Sequence, residues 1–215
     1  GGHSRVEQVN GTGWRLFGRK YVTGGLPDSA LLNVFVRHQD RPGVSGFVVP
    51  RGAKGVALAN GTQDGMMRER VQMDGVFVDY AHVLGQIGAA EDIALDAIRH
   101  SNLAIGAACL GGMKRCSQLI FQHATQRQIG EAGLVAHPVT MTRLGRITAE
   151  VTALECLVRM LADLADEGRL VAAEAFTVCK LVGPEMLWQA VDDLVQLLGR
   201  RGVVETAQVH QLVDD

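Results

Sequence analysis

Hydrophobic and polar residues alternate along the first third of the chain. Along the rest, the apolar residues recur at intervals of three and four. Val6-Glu7-Gln8-Val9 and Trp14-Arg15-Leu16-Phe17 flank Asn10-Gly11-Thr12-Gly13. Side chains of a strand alternate between faces, and an Asn-Gly pair takes the positive φ angles of a tight primed turn, so this stretch predicts a hairpin. Val-rich runs follow at residues 20–23, 31–37, 45–49, 55–58 and 71–78, divided by Gly, Pro, Asp and Asn. Short strands punctuated in this way predict an antiparallel sandwich or barrel.

From about residue 91 the period is helical. Ile93, Ala97, Leu103, Ala107, Leu110, Met113, Leu119 and Ile120 mark a first helix to about residue 122. A second, over about 140–167, places Ile147, Val151, Leu154, Leu157, Leu161 and Leu164 on one face, with Glu150, Glu155, Arg159 and Asp163 mostly on the other. Gly168 is its stop signal. A third covers about 170–198, with a kink or brief break expected at Gly183-Pro184 and an end at Gly199, and a fourth starts within 204–213. The short connections predict antiparallel neighbours in a bundle. Gly106, Gly111 and Gly112 are expected to let another helix approach closely. The fold class is therefore α+β: an antiparallel β barrel or sandwich over residues 1–88, then a long-helix bundle over 89–215 whose C-terminus is expected to be incomplete.

Composition narrows the function classes. The 215 residues are 47% hydrophobic, 20% charged and only 5% aromatic, with 26 glycines and a formal charge of -2. That excludes a disordered, collagenous or disulfide-dense chain and gives no electrostatic footprint for nucleic acid or an anionic membrane. The core must come from Ala, Val, Leu, Ile and Met. Cys109, Cys116, Cys156 and Cys179 form no CxxC pair and lack zinc spacing, so they read as buried, reduced thiols of a cytoplasmic protein. No secretory leader is visible, and the longest apolar run, residues 103–113, is too short to span a bilayer. The seven histidines share no i, i+4 helical spacing, and no metal site is predicted. Asp192-Asp193 and Asp214-Asp215 read as solvated pairs, because adjacent residues point apart on a helix. There is no GxxxxGK, HExxH or GxSxG motif, and no GxGxxG after a strand.

Longer blocks carry more. GWRLFGRKYVTGG (residues 13–25), GVSGFVVPRGAKGVAL (43–58), VFVDYAHVLGQIG (76–88), LDAIRHSNLAIGAACLGGM (95–113), QRQIG (126–130) and QLLGRRG (196–202) follow in order. Together they resemble the middle β domain and C-terminal helical domain of the acyl-CoA dehydrogenase family. The resemblance implies FAD-dependent α,β-desaturation of an acyl-CoA or acyl-carrier thioester, an electron-acceptor flavoprotein as partner, and a homo- or hetero-tetramer in which one subunit contributes to its neighbour's FAD. It puts Tyr21 where the family has a Trp over the flavin ring and Thr23 near the flavin N5 edge. Gly24 and Gly25 would let the backbone pass close to the ring. Gln196, Gly199 and Gly202 would lie by the pyrophosphate or adenine of a neighbour's cofactor.

The departures bear on the same contacts. Gln126 stands where the family has Arg, and either Arg127 next to it or Arg200 would restore a phosphate charge. Ile129 replaces Phe, His137 replaces a Gln, Arg200 replaces the second Gly of G-G-x-G, and the stretch between Gly65 and Met73 is about three residues short of the family pattern. Arg127 and His137 thus join Tyr21, Thr23, Gln196 and Gly199 as cofactor-contact candidates. The catalytic base is unassigned: most members carry its Glu beyond the last block, and a minority place it where this chain has Ile98. Either a fragment of a dehydrogenase or a diverged partner subunit fits this pattern. The other functional alternative is a flavin monooxygenase built on the same fold.

Overall fold

A computed structural model describes residues 4–9, 11–22, 26, 28–38, 42–63, 66–169 and 171–203. The chain divides into two compact units, Gly1–Ala97 and Ile98–Asp215.

In the first unit, β1 (Ser4–Val9) and β2 (Gly13–Val22) form the expected hairpin. The Thr12 amide donates to the Val9 carbonyl at 2.8 Å, and Gly11 takes φ 71°. Asn10 lies outside the described residues. With β5 (Val56–Gln63) and β6 (Met66–Asp79) the hairpin makes a four-stranded sheet in the order β1-β2-β6-β5. A second sheet orders β3 (Leu31–Arg37), β4 (Val44–Pro50) and β7 (Val83–Leu84) as β3-β4-β7. All these pairs are antiparallel. β3 shows why the sheets stack: Leu32, Val34 and Val36 are buried while Leu31, Asn33 and Arg37 are exposed. The buried set meets Trp14, Leu16, Phe47, Val49, Val71 and Met73 in one core. Burying each large aliphatic or aromatic side chain contributes about 1.5–3 kcal/mol, which makes this interior the unit's main source of stability.

Two expected strands merge into longer ones. Residues 20–22 of run 20–23 are the end of β2, Thr23 lying outside the described residues, and run 71–78 is part of the 14-residue β6. Pairing passes from Leu16↔Val76 to Gly18↔Met73, so Asp74 and Gly75 oppose Phe17 alone, and the bulge forms at Gly75 with φ 64°. After β6, Asp79 accepts the Ala81 amide and caps a 3-10 turn, Tyr80–His82. The Ala90 amide then donates to the Val44 carbonyl at 2.8 Å, anchoring the start of α1 (Glu91–Gln126) to β4.

The second unit holds the rest of α1 with α2 (Pro138–Asp166) and α3 (Ala173–Leu198). Its main core joins Leu110, Met113 and Ile120 of α1 to Ile147 and Leu154 of α2 and Leu194 of α3. The face that α1 buries matches the expected one in part: Leu110, Met113 and Ile120 are buried, and Leu103 and Leu119 are half-buried. Ile93, Ala97 and Ala107 are exposed, and the buried positions are Asn102, Gly106, Cys109, Leu110, Met113, Cys116, Ile120 and Ala124. At Gly106 and Gly112 small size, not hydrophobicity, fits the residue to its place. A β-carbon on Gly106 would lie 2.8 Å from Cys179 Cβ, and one on Gly112 would lie 2.8 Å from Leu187 Cδ1. Gly111, by contrast, has open space around it, so its expected packing role is not observed. These contacts ascend together along α1 and α3, so the two helices run parallel. Lys114 meets Glu155 of α2 at 2.8 Å, while the earlier Gly106 faces the later Val158, so α2 runs antiparallel to α1.

Three further expectations change. α3 is unbroken at Pro184. Proline leaves the Lys180 carbonyl without its helical donor, but both residues lie on the exposed side, which the helix tolerates. Asp193 is not solvated. It is 8% exposed, accepts from Arg146 Nη2 at 2.5 Å and lies 3.1 Å from Arg143 Nη1, while Asp192 is exposed. Arg146 also donates to Glu150 at 2.8 Å and to Gln189 at 2.7 Å, tying α2 to α3. Finally, Cys109, Cys116 and Cys179 are buried as expected, but Cys156 is exposed on the outer side of α2. The expected helix start within 204–213 lies outside the described residues. Among the described residues no helix is long and apolar enough to cross a membrane.

Gly106→Val should destabilise the chain by about 1–3 kcal/mol through overpacking against Cys179, whereas Gly111→Ala should stabilise it by about 0.5–1 kcal/mol. Urea unfolding of both variants reads the contrast, and equal effects would refute the packing account. Asp193→Ala leaves Arg143 and Arg146 without their shared carboxylate and should cost about 2–4 kcal/mol. A loss below about 0.5 kcal/mol would class the network as a solvated surface pair.

Candidate functional site

On the β unit, alternation along the end of β2 sends successive side chains to opposite faces. Arg19 and Tyr21 are exposed, Tyr21 at 56%, while Lys20 and Val22 are half-buried. Arg19 Nε donates to Gln72 Oε1 at 2.8 Å, and Tyr21 pairs with Arg70 across β6. The outer face therefore presents a tyrosine ring beside guanidinium groups. Thr23, Gly24 and Gly25 lie outside the described residues.

On the helical unit, the candidates gather where α1 and α3 end. The Arg127 amide donates to the His123 carbonyl at 3.0 Å, carrying the last turn of α1 one residue further. The chain then forms a small hairpin, β8 (Gln128–Ile129) with β9 (Ala132–Gly133), turning at Gly130 with φ 63°. The Leu134 amide closes its base on the Arg127 carbonyl at 2.7 Å. After a 3-10 turn, Leu134–Ala136, His137 becomes the N-cap of α2: its Nδ1 accepts the Val139 amide at 3.3 Å, and Pro138 follows at the first helical position. The structure thus gives exposed His137 a capping role, on the same connection as Arg127.

α3 ends on a fold-back. Gly199 takes φ 57° and ψ -129°, and its amide bonds the Val195 and Gln196 carbonyls. A 3-10 turn, Gly199–Val203, then lays Gly202 against α3 so tightly that a β-carbon there would lie 2.7 Å from the Val195 carbonyl oxygen and 2.9 Å from Val195 Cα. Glycine is thus required at 199 by conformation and at 202 by contact. Gln196, Arg200 and Arg201 are exposed around this hook.

Electrostatics join the two helix ends. Burial lowers the His123 pKa below its ordinary value of 6.5, and the charges of Arg201 and Arg127 lower it further. With His123 neutral, Arg127 and Arg201 bring positive charge to this end of the bundle, which suits an anion with several acceptor oxygens, the chemistry that Arg binds bidentately. His123 and Arg201 were not singled out in the sequence. The four-residue spacing of His123 and Arg127 is the one local signal that could have found His123, and nothing local links either to Arg201. Among the described residues, no group of three His, Cys, Asp or Glu side chains is arranged to hold a metal ion. Ile98, in the position where a base was looked for, is exposed on α1.

Comparison with known proteins gives consistent findings. The family model described as acyl-CoA dehydrogenase, C-terminal domain, matches residues 91–215. The very long-chain specific acyl-CoA dehydrogenase of human mitochondria is 26% identical over 183 residues, which are 80% of this chain and 27% of that protein. Butyryl-CoA dehydrogenase from Megasphaera elsdenii superposes with a TM-score of 0.88 at 18% identity, covering 99% of this chain and 57% of that one. A glutaryl-CoA dehydrogenase from Mycobacterium smegmatis in complex with FADH2 gives 0.84 at 17% identity, covering 97% and 54%. The chain thus spans under a third of the length of the human relative and a little over half of these solved structures.

Arg201→Ala should raise the His123 pKa, and Arg127→Ala should do so less, because Arg201 has the larger effect. Imidazole NMR titration measures both, and an unmoved His123 would separate it from these arginines. The sign of the linkage is fixed. The folded pKa lies below the unfolded one, so the stability due to neutral His123 is complete above about 6.5, the unfolded value, and is lost as pH falls from there through the lower folded pKa.

Proposed function

Because this chain belongs to the acyl-CoA dehydrogenase family, we propose that it serves FAD-dependent α,β-dehydrogenation of an acyl thioester. The family match over residues 91–215 carries this reading. The residues present suit the cofactor. Arg127 and Arg201, which both act on His123, bring the positive charge that a pyrophosphate needs, and Gly199 and Gly202 keep the adjoining backbone bare of side chains. Gln196 is exposed beside them, and Tyr21 is an exposed ring suited to cover a flavin.

In this reading Arg127 and Arg201 hold phosphate oxygens by charge-assisted hydrogen bonds, and the neutral His123 adds a ring N–H without adding charge. The pyrophosphate belongs to the flavin of a neighbouring subunit, in a tetramer. Tyr21 and Thr23 face the flavin ring, and His137 fixes the connection that carries Arg127. Bound FAD supplies the hydride acceptor for the substrate's β carbon. The α proton needs a carboxylate base, and the exposed hydrocarbon side chain of Ile98 cannot serve as one. The substrate is an acyl group on CoA or a carrier protein, and a second flavoprotein takes the electrons. The two domains are the β module over 1–88 and the bundle over 89–215, in a cytoplasmic protein. The hydrocarbon side chain of Ile98 and the Gln126 substitution favour one second reading, a subunit that completes a heteromer with a base-bearing dehydrogenase.

The test is to purify the full protein with its natural partners. Bound flavin absorbance that bleaches on adding an acyl-CoA is the expected result. A colourless protein that FAD does not reconstitute would overturn flavin binding by this chain. Half-stoichiometric flavin with a co-purifying dehydrogenase-like chain would establish the heteromer.

A further inference from the structure

The inward face of β2 leads to a second site, on the opposite side of the strand from Tyr21. A pocket of about 230 Å³, open to solvent on one side, is lined by Val22, Leu26, Leu32, Val34 and Val71 of the β core, with Lys20 among them and Ser29 and Asn33 as its polar wall. Lys20 is half-buried, and burial lowers its pKa from the usual lysine value. Loss of hydration without a compensating charge is the cause, and no described carboxylate is paired with it. The nearest acid by strand register is Glu69, opposite Val22. Its Oε2 accepts the Leu26 amide at 2.8 Å, and it does not line the cavity. Ser29, at the wall, gives its hydroxyl proton to the Leu26 carbonyl at 2.9 Å and keeps its oxygen lone pairs.

Among the described residues Lys20 has no counter-ion, and a half-dehydrated cation in that position is stabilised by acquiring one. Apolar walls disfavour a fully hydrated inorganic anion and favour a hydrocarbon tail. We propose that this cavity binds a small carboxylate with a short unbranched hydrocarbon tail, the Lys20 ammonium acting as its counter-ion. An apolar cavity of about 150 Å³ holds benzene, so the present one has room for about eight heavy atoms, the size of hexanoate. The carboxylate meets Lys20 in a charge-assisted contact, and the tail lies along Leu26, Leu32 and Val34. Lys20 and Tyr21 point to opposite faces of β2, so this site is independent of the flavin reading.

The full chain labelled with 13C,15N-lysine reports directly, since it contains only Lys20, Lys54, Lys114 and Lys180. Lys54, Lys114 and Lys180 are exposed and serve as internal references. On titration with hexanoate, the Lys20 side-chain resonances should shift saturably while the references stay put. Hexylamine and inorganic phosphate should produce no saturable shift. Lys20→Met should weaken hexanoate binding by ~10-fold or more, and Lys20→Arg should retain it within ~3-fold. Three outcomes overturn the site: Lys20 resonances unmoved at about 10 mM hexanoate, hexylamine binding as well as hexanoate, or unaltered binding by Lys20→Met. Should Lys20→Met fail to fold, the wild-type Lys20 resonances and the Lys20→Arg variant decide the question.

Discussion

Where a β-carbon on Gly106 would sit, Cys179 already is, and the layout of the helical unit follows from that contact. A chain with 5% aromatic residues cannot fill a wide gap between helices, so it brings them together. Gly106 and Gly112 set the position of α3 along α1, and α2 returns between their directions with ion pairs on both sides. Because α1 and α3 run parallel, their C-termini arrive at the same end. Each carries the partial negative charge of a helix C-terminus, which favours cations there. His123, Arg127, Arg200 and Arg201 occupy this end. The helix axes thus explain why arginines separated by most of the bundle's sequence act on one imidazole.

The β unit works by a different rule. Its interior is made by alternation, so each strand commits half of its side chains to the core and half to the outer face. At β2 this places a tyrosine for one purpose and a lysine for another on adjacent residues. The bulge at Gly75 locally breaks the pairing of β6 with β2, which resumes and carries both strands on to Tyr21 and Arg70. A one-residue slip would exchange the two faces and remove both sites at once.

Much of this was legible in the sequence. Strand runs, the helix order and the stop at Gly168 are local signals, written in alternation, period and glycine chemistry. The buried face of α1 was legible only in part, because ranking residues by hydrophobicity passes over Asn102 and Gly106, and small size fits Gly106 to its place. Asp193 shows a second limit. Adjacency correctly implied that Asp192 and Asp193 diverge, but only the partner helix decides which meets Arg143 and Arg146. The candidate site divides in the same way. Gly199 and Gly202 are local requirements of backbone shape, visible as a motif. The grouping of Arg127 with Arg201 depends on the register of two helices that no short window contains.

The same tight packing has a chemical consequence. Cysteine serves here as a small, polarisable spacer, and burial holds the Cys116 thiol up at about 11, with Cys109 and Cys179 also raised. Only the thiolate reacts with peroxides and electrophiles, and at pH 7 about one Cys116 side chain in ten thousand is in that form. The seam between α1 and α3 is therefore protected from oxidative ageing by the closeness that requires small residues. Cys156, exposed on α2, is left as the thiol that meets oxidants first.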